Sequence, residues 1–257
     1  MQEEDDKDRL FVTALARGLQ VLAAFQPGES ALSNLEIAKR TGLPKSTVSR
    51  LTYTLTKLGH LSQDEHSGFY RLGVALLALG SVVLASYDIR QVAGPLMREF
   101  ALENNVSISL AMRDGTDMVY LETCRSQSRV SVQLTVGSRV PIATTAIGRA
   151  FYAGLSDNVR QQLDGELAAR YGERWPELQQ RLQQAMAEYQ RCGYSASFGE
   201  YEPDVMAVGV HLPSPNPGQP PMSLNASGPA FAFTAEQMQQ QAAPALIALR
   251  QRIVPVA

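Results

Sequence analysis

The residues best equipped for chemistry crowd into one short segment: Lys45, Ser46, Thr47, Ser49, Arg50 and Tyr53. Cations and hydroxyls of this kind contact phosphates and base edges, and a helix carrying them near its N-terminal end suits the major groove of DNA. Val48, Leu51, Leu55 and Leu58 recur between them at helical spacing and predict one face that packs inward. A surface helix with a solvated polar face has the same pattern, so the neighbouring elements must decide.

Those elements favour DNA. Ser33-Asn34-Leu35-Glu36 has the form of a capping box and opens a short helix over 34–40. Ala38 is small enough for a second helix to cross closely, and Gly42 suits the tight turn between them. Pro44 fits the first turn of that second helix, which runs to about Leu58 with Gly59 as its cap. His60 to Ser62 and Phe69 to Leu72 then read as a hairpin around a polar turn. Its Arg71 would reach phosphates or the minor groove. Upstream, Val12, Leu15, Leu19 and Leu22 predict an amphipathic helix over 10–25. The charge agrees: residues 9–73 hold eight bases against four acids, although the whole chain sums to −2.

A second group lies in the C-terminal half. Ala143-Thr144-Thr145-Ala146-Ile147-Gly148 is a run of small residues opening a helix. Small side chains leave backbone N–H groups accessible, and a helix N-terminus favours an anion. The same residues would also permit close packing of helix on sheet. Asn225 and Ser227 share a strand face, where they either meet solvent or converge on a ligand. His60, His66 and His211 show no metal-ligand spacing, and Cys124 reads as a buried structural thiol. Glu200 and Glu202 have no nucleophile beside them. The chain lacks a nucleophile elbow, a Walker loop, a dinucleotide fingerprint and a metal cluster. We therefore expect no enzyme, no cofactor and no metal.

The 257 residues, 45% hydrophobic, suffice for two domains. We expect an acidic leader over 1–8, a winged helix-turn-helix over 9–73, a linker and dimerisation helix over 74–88 and a ligand domain over 89–257. Val74 to Ala85 is apolar nearly all round, so that helix should be buried, within the chain or against a second one. It is too short to span a membrane. With two scattered cysteines and no signal-peptide core, the reading is a cytoplasmic protein. Beyond it, a helix begins at Ile89. A hairpin pairs Val106–Met112 with Met118–Cys124, and another strand covers Val130–Val136. A helix begins near Thr145 and another covers 175–191. Strands over Val205–Leu212 and Met222–Ala226 precede a last helix over 234–252. Helices mixed with antiparallel strands make the second domain α+β.

Residues 9–72 resemble the winged helix-turn-helix of the IclR family of bacterial regulators. The resemblance rests on Ala16-Arg17-Gly18-Leu19, Ile37-Ala38, the run Thr41 to Leu51, Leu58-Gly59 and Tyr70-Arg71-Leu72-Gly73. It continues through Asp114-Gly115, Val119-Tyr120-Leu121, Gly137, Pro141, Thr145-Ala146, Gly148-Arg149-Ala150, Glu200, Glu202 and Ser227-Gly228-Pro229. The resemblance implies a twisted antiparallel sheet with helices and a pocket for a small organic effector. It implies contacts from Ile142, Thr144, Thr145, Ala146, Glu200, Val205, Ala207, Asn225 and Ser227. Ala207 stands where relatives often carry a polar or sulfur-containing residue, and the loop Gly199 to Asp204 is shorter than in some. Those departures point to a less polar pocket and an aromatic or partly apolar acid. The implied function is transcription regulation on double-stranded operator DNA by a homodimer or dimer of dimers, with repression favoured over activation. The alternative is a protein-binding winged helix fused to a small-molecule-binding or enzymatic domain.

Overall fold

The computed structural model describes residues 10–26, 28–125, 134–214 and 219–254. The acidic leader therefore lies outside the described residues, as does most of the strand expected over 130–136. The chain divides into two compact units, one ending at Ser86 and the other beginning at Tyr87.

The first unit holds α1 (Thr13–Ala23), α2 (Asn34–Thr41), α3 (Lys45–Lys57), β1 (Leu61–Gln63), β2 (Tyr70–Leu72) and α4 (Val74–Ala85). The capping box forms: Glu36 N–H donates to Ser33 Oγ at 3.2 Å, and Ser33 N–H donates to Glu36 Oε2 at 2.7 Å. The α2 helix stops at Gly42, whose φ of 69° is available to glycine without a Cβ clash. Strands β1 and β2 pair antiparallel as the wing. Leu32 exchanges two backbone hydrogen bonds with Tyr70 and adds a third strand position to it. Val21, Leu32, Ile37, Val48, Leu61 and Tyr70 close the core.

Three sequence expectations change here. Leu58 is 61% exposed and does not join the inward face of α3. On α1 the stripe Val12, Leu15 and Leu19 is exposed, and Val21 is the residue buried. The α4 helix, expected to be buried within the chain or against a second one, has no residue buried within this chain, with Val74, Leu77 and Val82 at least 70% exposed. An apolar period marks a face that avoids water; it does not specify which protein covers that face.

The second unit is built on a six-stranded antiparallel sheet of order β5-β4-β3-β8-β7-β6. Its strands are β3 (Ser107–Asp114), β4 (Asp117–Cys124), β5 (Arg139–Pro141), β6 (Ser195–Phe198), β7 (Val205–Leu212) and β8 (Met222–Pro229). Alternation gives the sheet two unlike faces. One carries Ile108, Leu110, Val208, Val210, Leu224 and Ala226, against which α5 (Ile89–Asn104) and α10 (Ala243–Ile253) pack. A short turn of helix α9 (Ala235–Gln237) leads into α10.

The other face carries Ser107, Ser109, Ser195, Ser197, Ser223, Asn225 and Ser227, all buried. Helix α6 (Ala146–Ala153) lies on this face, and α7 (Asp157–Tyr171) and α8 (Trp175–Cys192) build an apolar layer around it. Short side chains are what let α6 approach. A Cβ on Gly209 would come within 2.5 Å of Ala146 O, and one on Gly148 within 2.3 Å of Ile142 Cα. Ser195 Oγ donates to Ala146 O at 2.6 Å and Ser197 Oγ to Thr144 O at 2.8 Å, so the sheet also hydrogen-bonds the helix entry.

Gly209→Ala is expected to destabilise this unit by about 1–3 kcal/mol, the range for overpacking against backbone. Gly165→Ala, on α7 with nothing within 4 Å of the added methyl, should instead stabilise by about 0.5–1 kcal/mol. Urea denaturation of both variants checks the contrast.

Candidate functional site

In the first unit, α3 presents Lys45, Ser46, Ser49, Arg50 and Tyr53 on its exposed surface, with Thr47 half-buried. Arg71 is exposed on the second wing strand. The other basic side chains separate into two roles. Arg40 is fixed by two hydrogen bonds to the Glu29 carboxylate, both 2.6 Å, and by one to Ala24 O at 2.8 Å. Lys45, Arg50 and Arg71 make no salt bridge with the described residues, which leaves their charge for a partner. Ser49 is partly engaged: its Oγ accepts from Asn34 Nδ2 at 3.0 Å and donates to Lys45 O, which ties α2 to α3. Lys57 Nζ lies 5.5 Å from the centre of the Tyr53 ring. The surface is thus a pre-positioned helix end with free cations flanked by hydroxyls, suited to phosphate contact and groove readout.

In the second unit, a cavity of about 340 Å³ opens at the N-terminus of α6. That is the small end of the range for ligand sites. Thr145, Ala146, Val205, Ala207, Asn225 and Ser227 all line it, as the resemblance implied. Ile142, Thr144 and Glu200 do not. Ile142 is fully buried in the core beneath Gly148. Thr144 offers its carbonyl to Ser197 and stays outside the wall. Glu200 turns to Arg149. Sequence reading missed Tyr120, Ser197, Tyr201 and Asp204, which also line the cavity with the apolar Leu134, Val140 and Ile147. The exposed wall is mostly apolar, with a few polar groups set into it.

The polar atoms sort by what they still need. Thr145 caps α6, its Oγ1 accepting from Gly148 N–H at 3.2 Å and donating to Pro141 O at 2.7 Å. Ala146 and Ile147 take the next two positions, whose amides have no acceptor within the helix. Amides at a helix start suit an anion. Burial pushes the Tyr120 phenol above the usual range, so it stays a neutral donor. Burial likewise raises Tyr201, helped by the charge of Glu202. Asn225 is 95% buried, its Oδ1 has no partner among the described residues, and its side chain hydrogen-bonds the Tyr120 phenol. No cation stands among the described lining residues; the ionised groups there are Glu202 and Asp204. Among the described residues no cluster of His, Cys, Asp or Glu could hold a metal, and both cysteines are free. No single described helix is long and apolar enough to cross a membrane.

One buried pair holds the wall. Arg149 on α6 is 5% exposed and binds Glu200 through two hydrogen bonds of 2.7 and 2.6 Å, and its guanidinium also reaches Ala143 O and Ala196 O. Glu200 begins the loop that carries Tyr201, Glu202 and Asp204 to the cavity. The Arg149 hydrogen bonds hold the Glu200 carboxyl below its ordinary range. Because that value is depressed on folding, the stabilisation is complete at neutral pH and is lost as pH falls below the unfolded value near 4.5. Glu200→Ala should cost about 1–3 kcal/mol by leaving the guanidinium short of acceptors. The melting-temperature gap between wild type and Glu200→Gln, measured from pH 7 to pH 3, should shrink with acid.

The sequence matches the IclR helix-turn-helix domain over residues 14–65 and the bacterial transcriptional regulator IclR C-terminal domain over residues 81–253. It is 33% identical over 237 residues to the HTH-type transcriptional regulator TsaQ1/TsaQ2 of Comamonas testosteroni, covering 91% of this chain and 84% of that protein. A solved IclR family transcriptional regulator from Brucella abortus superposes with a TM-score of 0.82 at 39% identity, covering 96% of this chain and 94% of its own. An IclR homologue from Microbacterium hydrocarbonoxydans, solved with 4-hydroxybenzoate, gives a TM-score of 0.73 at 26% identity, covering 94% and 97%. With both domain types matched in order and most of the chain covered, the protein belongs to the IclR family of DNA-binding transcription regulators.

Proposed function

We propose that operator binding by this regulator is controlled by a small organic acid held in the cavity at the start of α6. The observation that carries the reading is that Ala146 and Ile147, whose amides open α6 without an acceptor inside the helix, line that cavity. Leu134, Val140 and Ile147 give the ligand an apolar wall, which favours an aromatic or partly apolar body. On this reading Thr145, Ala146, Val205, Ala207, Asn225 and Ser227 contact the effector. Lys45, Ser46, Thr47, Ser49, Arg50, Tyr53 and Arg71 contact double-stranded operator DNA.

The functional unit we propose is a cytoplasmic homodimer, extendable to a dimer of dimers. The uncovered apolar surfaces of α1 and α4 support association, since a monomer seldom leaves Leu15, Leu19, Leu77, Val82 and Val83 in water. Repression is the sign we propose, because a protein seated on a promoter occludes it without further contacts.

The deciding assay is a gel shift on DNA flanking the protein's own gene, with and without a panel of organic acids. Release of DNA by one acid supports the reading with repression, and tightening by one acid reverses the sign. No response to any acid, on DNA that is bound, removes the acidic effector. Arg50→Ala should lower operator affinity by about 1–3 kcal/mol, or roughly 5- to 150-fold, while melting as wild type. Ser227→Ala should raise the effector concentration needed for half response and leave DNA affinity alone.

A further inference from the structure

Ser49 stands exposed on α3 with its hydroxyl already engaged. A serine hydroxyl has one proton to give and two lone pairs to receive. Ser49 Oγ gives its proton to Lys45 O at 3.0 Å and receives Asn34 Nδ2 at 3.0 Å, which leaves one lone pair. Asn34 is the first residue of α2, and the capping box of Ser33 and Glu36 holds that helix start in place. With the Asn34 amide turned over, its oxygen takes the same proton, and Ser49 still faces outward as an acceptor. An acceptor has few matches on DNA. Phosphate oxygens carry no proton, and neither do N7 and O6 of guanine, N7 of adenine or O4 of thymine. The donors in the major groove are the exocyclic amino groups, N6 of adenine and N4 of cytosine. Turning the proton to DNA instead gives up the bond to Lys45 O. Without Asn34 the side chain is free to leave that carbonyl, and a hydroxyl that both gives and receives fits any base edge.

We infer that Ser49 reads an exocyclic amino group, so that one operator position carries adenine or cytosine, not guanine or thymine, on the strand it faces. Asn34 is the positioning residue that sets this choice. This rests on the reading of α3 as the operator-binding helix, and it names the base chemistry that one of its residues selects.

Selection from a randomised duplex library tests it, with the full chain as wild type, Ser49→Ala and Asn34→Ala. Wild type should favour adenine or cytosine at one position by about fivefold, the scale of one hydrogen bond. Ser49→Ala should lose that preference at that position alone, and Asn34→Ala should reduce it to about twofold or less. The favoured base is then replaced by its analogue without the amino group, purine for adenine or pyrimidinone for cytosine. That change should weaken wild-type binding by about fivefold and Ser49→Ala binding by less than about twofold. A preference for guanine or thymine at the position that depends on Ser49 overturns the inference. So does a preference that Asn34→Ala leaves intact. If Ser49→Ala alters no position while Arg50→Ala still lowers affinity, Ser49 lies off the bases: the inference fails and operator binding by α3 stands. If wild type selects no sequence, both readings fall together. The base-analogue comparison on wild type decides even if Asn34→Ala does not fold.

Discussion

The close seating of α6 on the serine face of the sheet is the constraint on which the second unit depends. Helix on sheet ordinarily buries large apolar side chains at the contact. Here Gly209 and Gly148 remove the side chain at both close approaches, and hydroxyls of Ser195 and Ser197 take up the carbonyls of Ala146 and Thr144. The helix start is therefore fixed by hydrogen bonds and contact, with its first amides left over. Were α6 held a few ångströms off by ordinary core residues, Ala146 and Ile147 would not share a wall with Asn225 and Ser227. Shape, donors and acceptors of the cavity follow from the same choice of small residues.

The first unit solves the opposite problem. A helix that must present cations to a partner has to avoid pairing them within its own fold. Glu29 is satisfied by Arg40, and Glu36 by Ser33, so both carboxylates are committed within the unit. Asp64 in the wing turn is likewise engaged by Ser67 and His66 backbone amides. The modest positive excess of this segment becomes effective through that distribution rather than through its size.

Much of this was legible in the sequence because the signals were local. The capping box at Ser33 and the turn at Gly42 need only a few neighbours, and a hairpin declares itself by its turn residues. The cavity was readable in part: Asn225 and Ser227 share a face by alternation alone, and Thr145-Ala146 opens a helix by residue type. Tyr120 and Ser197 were not readable, since only the order of strands brings β4 and β6 to either side of α6. Helix α7 was missed although Val159, Leu163 and Leu167 recur every four residues, because the stripe is one residue wide among polar neighbours. The short strands β5 and β6 have too few residues for alternation to speak. Glu200 shows the limit most clearly. Its place in a loop among pocket residues suggested a ligand contact, yet the partner is Arg149, 51 positions away in sequence.

That exchange bears on how an effector can act. The second unit does own a buried guanidinium near the cavity, but Glu200 and two carbonyls occupy it. On the proposed reading an anionic ligand is held by the peptide amides of α6, with Arg149 setting the loop that also lines the cavity. Backbone amides cannot reorient as a long side chain can, so the strength of ligand binding reports the placement of the helix directly. A ligand shifts an equilibrium only by its difference in affinity between states. In a site of this construction that difference depends on where α6 and the Glu200 loop stand, since no cation is among the described lining residues. Recognition and the reporting of occupancy are therefore carried by the same short stretch of backbone.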